Sequence, residues 1–131
     1  MTRDALTERV GELANAVVAD PRFERDDFSV SVLGMLLYGY ALGTGRLFFL
    51  LDTPDVDAAV LRVMTERVGA AAKWSGGLVA EANAAAFDQA HHPGHHELIG
   101  MGHSYIGVED RAALVDNVFA NTASARRRAG A

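Results

Sequence analysis

The stretch FSVSVLGMLLYGYALGTGRLFFLL, residues 28–51, decides how this chain folds. Its first part, residues 28–42, is apolar on every side when drawn as a helix, and such a helix is buried in a core, an oligomer interface or a membrane. Thr44-Gly45-Arg46 interrupts the run after about 16 residues, short of the roughly 20 that a bilayer requires. We therefore predict a central core helix. The weaker alternative is a membrane-associated protein anchored by residues 28–51.

Gly39 and Gly43 form a GxxxG pair within this stretch. Small residues at that spacing share one helix face and let a neighbouring helix approach closely. We therefore expect a partner helix on this face, followed by a second short apolar helix or strand after Arg46. A helix that is apolar all round needs neighbours on every side, and short helices leave part of it uncovered. The sequence thus also predicts self-association, or a protein partner, through residues 28–51.

Apolar residues recur at helical spacing on both sides of the central stretch. They predict four further helices, which we place at residues 4–19, 54–73, 78–91 and 109–127. Thr53, Pro54 and Asp55 supply a cap, a proline at the first helical position and an early acid, in the order that a helix start favours.

Three short polar or glycine-rich stretches are expected to set the remaining boundaries. Asp27 is expected to cap the central helix. Ser75-Gly76-Gly77 is expected to break or kink the helix that precedes it, and Pro93-Gly94 to end the next one. The prediction is therefore an all-α fold, a compact bundle of five or six helices in a single domain over residues 1–125. Residues 126–131 are expected to form a frayed basic tail.

Composition narrows the class of protein. The chain of 131 residues is long enough for one core, and half of it is apolar. It has no cysteine, which excludes disulfides, thiolate nucleophiles and cysteine metal sites. The first helical turns are charged and lack the apolar segment of a secretion signal, so we expect a cytoplasmic protein.

Charge is divided unevenly along the chain. Residues 74–110 contain no Lys or Arg but five acids, whereas the other 12 acids are balanced by 12 basic residues. The whole formal charge of −5 therefore lies in the segment that also holds all five histidines. This zone repels phosphate and attracts cations, so nucleic-acid binding is not expected.

The histidines and one acid of this segment are candidate metal ligands. Imidazole and carboxylate suit divalent transition metals such as Zn or Ni, the one cofactor that the residues suggest. Pro93-Gly94 breaks the helical spacing of the histidines, so a site would be built from a helix end and a turn. The alternatives are a solvated loop between helices and a proton-operated or acid–base role. The candidate ligands are His91, His92, His95, His96, His103 and Asp88.

A second candidate site lies in the apolar middle of the chain. Arg46 is the only basic residue between Arg25 and Arg62, and a buried cation needs a carboxylate, an anion or water. Its expected partner is Asp52, Asp55 or Asp57. If the fold encloses a pocket, we expect its ligand-binding residues to be Tyr38, Tyr40, Arg46 and Trp74.

No complete catalytic motif is present, so function is predicted by class. The leading hypothesis is a small soluble binding or interaction protein, such as a regulator, an inhibitor or an accessory subunit, with an acidic, histidine-rich loop. The alternative is a metal- or histidine-dependent enzyme with its site at residues 88–103.

Overall fold

Helix α2, Asp27–Phe48, is the axis of the fold, and every other helix contacts it. The computed structural model describes residues 2–130. The helices are α1 (Thr2–Ala19), α2, α3 (Thr53–Val63, extended by a π-helical turn, Met64–Val68), α4 (Ala72–Phe87), α5 (Pro93–His103) and α6 (Arg111–Gly130). No strand occurs in this part of the chain. The predicted all-α, single-domain bundle is confirmed.

Helix α2 runs without a break through the segment that was expected to interrupt it. Thr44 and Gly45 are buried inside the helix, and Gly45 lies against side chains of Leu6 and Val56. The predicted break, and the separate helix or strand after it, were therefore wrong. The cap also lies one residue earlier than predicted, because the Asp26 carboxylate accepts a hydrogen bond from the Ser29 amide at 2.7 Å.

Helix α5 packs against α2 with backbone touching backbone. A Cβ atom added at Gly39 would overlap the carbonyl oxygen of Ile99, and one added at Gly102 would overlap that of Leu36. At Gly43 it would meet the Ile106 side chain. The close approach predicted from the GxxxG pair is confirmed, and α5, a helix that the sequence did not predict, is the partner.

The boundary between α3 and α4 lies at Gly69, earlier than predicted. Gly69 adopts a left-handed conformation, φ 84°, which glycine tolerates best, and the Ala70 amide bonds back to the Met64 carbonyl at 3.0 Å. Gly76 and Gly77 lie inside α4, where a Cβ atom would meet nothing within 4 Å. The predicted break at residues 75–77 was wrong because glycine weakens a helix without necessarily ending it, and α4 continues through both residues.

Pro93 begins a helix, although it was predicted to end one. Helix α4 stops at Phe87, and Pro93 is the first residue of α5, a position where its missing amide hydrogen costs nothing. His92 caps this helix, since its ring Nδ1 accepts a hydrogen bond from the His95 amide at 3.0 Å. The predicted histidine-rich loop is therefore mostly the first turn of a helix.

The C-terminal residues also differ from the frayed tail that was expected. Helix α6 continues to Gly130. Arg126 binds Asp26 at 3.1 Å and the Ser29 hydroxyl at 2.8 Å, and its guanidinium lies over the ring of Phe28. Arg128 binds Glu97 at 2.7 Å. These contacts tie the end of α6 to α2 and α5.

Helix α2 is also long and apolar enough to cross a membrane. However, 83% of its most apolar 18-residue window is buried inside the protein. The other helices thus provide the cover that an apolar helix needs.

Candidate functional site

Tyr38, a predicted ligand-binding residue, lies in a closed polar network inside the bundle. It is fully buried, and its hydroxyl donates to Asp57 Oδ1 at 2.6 Å. Asn83 Nδ2 donates to Asp57 Oδ2 at 3.1 Å and to the Tyr38 oxygen at 3.2 Å. Burial, and then the bond to Asp57, raise the pKa of Tyr38 well above 10. The hydroxyl therefore remains a proton donor that joins α2, α3 and α4.

The other three predicted residues do not gather around one pocket. Tyr40 is buried, and burial raises its pKa. Arg46 is exposed, so it needs none of the aspartates that were expected to neutralise it. Of those aspartates, Asp55 pairs with Arg3 at 3.4 Å. Trp74 is half-buried and does line a cavity, which is described next.

Two adjoining cavities open between α2, α4, α5 and α6, and we refer to them together as the cleft. One has a volume of about 650 Å³ and lies between α2, α5 and α6. The other, of about 690 Å³, lies between α2, α4 and α5. They share Ser31, Met35 and His95. Each volume falls within the range of roughly 300–1,000 Å³ that is typical of small-molecule sites.

The lining of the cleft combines an apolar floor with a few polar groups. The floor consists of Phe28, Val32, Met35, Leu78 and Leu98. The polar groups are Asp27, Ser31, Lys73, Glu81, His92, His95 and Arg128. Apolar walls with a small number of placed polar groups are what an amphipathic ligand requires.

Glu81 on α4 holds two histidines that follow it in the chain. Its Oε1 lies 2.8 Å from His91 Nε2, and its Oε2 lies 2.8 Å from His95 Nδ1. A carboxylate only accepts hydrogen bonds, so each of these ring nitrogens carries the proton. A neutral His95 ring then has its lone pair on Nε2, for which residues 2–130 supply no hydrogen-bond partner.

Stacking fixes the plane of the His95 ring. The rings of His92 and His95 lie parallel, 6° apart in tilt, with their centroids 3.5 Å from each other. Because His92 is also the cap of α5, its own ring is held in place. The hydrogen bond to Glu81 and the stacking on His92 therefore fix the orientation of the His95 ring before any ligand binds.

The described residues do not support the predicted zinc or nickel site. His96 Nδ1 bonds to the Ala85 carbonyl at 2.8 Å, and Asp88 Oδ1 accepts from the Ala90 amide. His103 is at the far end of α5, roughly 16 Å from His92 at 1.5 Å per residue. Within the described ranges no group of three or more histidines and acids is arranged to hold a metal ion.

The pairing with Glu81 should raise the pH at which His91 loses its proton. The hydrogen bond to Glu81, and then its charge, raise the pKa of His91 above the ordinary 6.5. The bonds to His91 and then His95 lower the pKa of Glu81 below 4.5. The His91 contribution to stability is present below pH 6.5 and is lost as pH rises through its raised pKa. The Glu81 contribution is present above pH 4.5 and is lost as pH falls through its lowered pKa.

We therefore predict that the pair contributes most between pH 4.5 and 6.5. Proton NMR of the histidine rings checks this, because Glu81→Gln should move the His91 midpoint down towards 6.5. An unchanged His91 midpoint in that variant would contradict the pairing.

A further cavity, of about 470 Å³, lies between α1, α2 and α6 and contains three arginines. Arg22 is bound to Asp20 and Asp116, both at 2.9 Å, and Arg126 to Asp26. Two of the three cations are thus already neutralised, which leaves this cavity less suited to an anion than its composition suggests.

Comparison of the chain with protein-family models, with curated proteins and with solved structures found no match. The geometry of the cleft is therefore what points to a function.

Three residues of the cleft were not predicted from the sequence: Ser31, Met35 and Glu81. Ser31 and Met35 lie in an apolar helix whose pattern does not distinguish a cleft wall from a core. Glu81 precedes its partners by 10 and 14 residues, and a turn of unknown shape lies between them. The one available signal was the concentration of acids and histidines in residues 74–110.

Proposed function

We propose that this protein binds a small amphipathic molecule in the cleft, with the apolar part of the ligand on the apolar floor and a polar group at His95. The observation that carries the proposal is that two cavities of ligand size meet at Ser31, Met35 and His95. The proposal is a specific form of the binding-protein class that the composition favours. It is also compatible with the expected soluble, cytoplasmic protein.

The polar group of the ligand follows from the state of His95. Because Glu81 holds a proton on Nδ1, the one nitrogen of the ring that can accept a hydrogen bond from a ligand is Nε2. A hydroxyl or an N–H group is therefore the complement that His95 selects. A neutral donor also avoids the cost of bringing an anion close to Glu81.

A second candidate function is histidine-dependent catalysis. A carboxylate that fixes the tautomer of an imidazole beside a cavity is the arrangement of a general base. The bond from His95 to Glu81, at 2.8 Å, favours this reading. In this proposal His95 first binds the donor group of the ligand, and proton removal is a further step available to the same pair.

The sole tryptophan of the chain, Trp74, lines the cleft and can report on binding. We expect dodecanol to change the fluorescence of Trp74 until the response saturates. Dodecanoate and dodecane, which have no group that donates a hydrogen bond, should bind more weakly. Ser31→Leu should weaken dodecanol binding by roughly tenfold or more, because it places a larger side chain where the two cavities meet.

Two controls make this test specific. Ala80→Leu adds the same side chain at an exposed position of α4 and should leave binding unchanged. His95→Phe should reduce the preference for the alcohol while retaining affinity for the tail. If the fluorescence response does not saturate, or if both leucine variants behave alike, the cleft is not the binding site.

A further inference from the structure

Three large apolar side chains stay exposed where α2 ends, and we call Leu47, Phe48 and Leu50 the apolar tip. Their exposed fractions are 63%, 59% and 84%. Most of the remaining large apolar side chains of α2 are buried or half-buried in the core. The tip is therefore the part of the predicted association segment, residues 28–51, that remains available to a partner.

Leu50 projects from the protein at the expense of backbone strain. It has φ 54°, in the left-handed region, and it is the one residue other than glycine with positive φ in the described chain. Glycine usually occupies such a position after a helix. The Leu51 amide bonds to the Gly45 carbonyl at 2.9 Å and so holds the turn that exposes Leu50.

Cations without carboxylate partners lie beside the tip. Arg46 precedes it directly and is exposed, and the Arg9 guanidinium lies 6.0 Å from the ring of Phe49. Across residues 2–130, no ion pair forms at either arginine. Most of the other arginines are paired, namely Arg3, Arg22, Arg62, Arg67, Arg111, Arg126 and Arg128. The nearest acid in sequence, Asp52, is exposed two residues after Leu50.

We propose that the apolar tip docks this protein on an anionic lipid surface. Leu47, Phe48 and Leu50 would enter the boundary between headgroups and acyl chains, and Arg9 and Arg46 would contact lipid phosphates. Apolar side chains combined with cations are the two features that produce shallow, reversible binding to bilayers. Binding of this kind leaves α2 inside the bundle, unlike a transmembrane anchor.

Charge favours a lipid surface over a second copy of the chain. A two-fold dimer through the tip would bring each unpaired arginine close to its counterpart in the other copy. An anionic bilayer instead offers negative charge where the tip carries unpaired positive charge.

Flotation with vesicles tests the proposal, using phosphatidylglycerol mixed with phosphatidylcholine and phosphatidylcholine alone. We expect binding to the mixed vesicles that weakens as salt is added. Phe48→Ser should reduce binding by about tenfold, since burying one large apolar side chain is worth at least that factor. Arg46→Gln should reduce binding, and Asp52→Asn should increase it.

Two variants separate docking from folding. Leu50→Gly removes an apolar side chain and relieves the backbone strain, so it should lower vesicle binding while the melting temperature rises or holds. Phe87→Ser alters a phenylalanine of similar exposure, 55%, on α4 and should leave binding unchanged. The proposal is overturned if the wild type does not float with anionic vesicles. It is also overturned if Phe87→Ser weakens binding as much as Phe48→Ser, or if light scattering shows a dimer that tip variants convert to monomer.

Discussion

Gly102→Ala should destabilise the protein by about 3 kcal/mol, because a single added methyl group has no room between α2 and α5. The Cβ atom would overlap the Leu36 carbonyl oxygen and lie 2.8 Å from the carbonyl carbon. These are backbone atoms of a buried helix, which a rotamer change does not move. The two helices must separate, and every contact between them is weakened.

Gly100→Ala is the matched control, because it lies on the same helix with nothing within 4 Å of its added Cβ. There the substitution should stabilise the protein by up to about 1 kcal/mol, the usual gain of replacing a helical glycine. Thermal unfolding of both variants measures the difference. The predicted loss at Gly102 corresponds to a fall in melting temperature of about 10 °C. Equal melting temperatures for the two variants would show that the close helix contact is absent.

Tyr38→Ala should lower the free energy of unfolding by about 4 kcal/mol, the largest effect that we expect from one side chain. Tyr38 is among the largest side chains that the fold buries completely. Its loss leaves a cavity at the centre of the bundle and removes the hydroxyl that joins Asp57 and Asn83.

Tyr38→Phe separates these two contributions. It retains the ring and deletes the hydroxyl, so it should cost about 1.5–3 kcal/mol, the value of one hydrogen bond to a charged group. Urea unfolding of the two variants measures both values. A Tyr38→Phe variant as unstable as Tyr38→Ala would mean that the polar network, and not packing, dominates at this position.

The sequence predicted those parts of the fold that depend on local chemistry. Thr53-Pro54-Asp55 does lie at a helix start, although Asp52 occupies the cap, one residue earlier. The GxxxG pair did mark a close helix contact. In both cases the decisive residues are neighbours in sequence or within one helical turn, where spacing alone determines geometry.

The errors arose where tertiary contacts choose between locally permitted states. Gly45 has the same intrinsic preference as Gly69, yet the first is packed inside α2 and the second ends a helix. Pro93 is equally compatible with ending one helix and beginning the next. The bonds from Glu81 to His91 and His95 depend on how α4 and α5 are joined, which no periodicity describes.

The position of α2 determines how the bundle comes apart. Because every other helix contacts α2, withdrawing α2 would expose part of the buried surface of each of them. We therefore expect the bundle to unfold as one cooperative unit, since opening at α2 weakens all the other helices together.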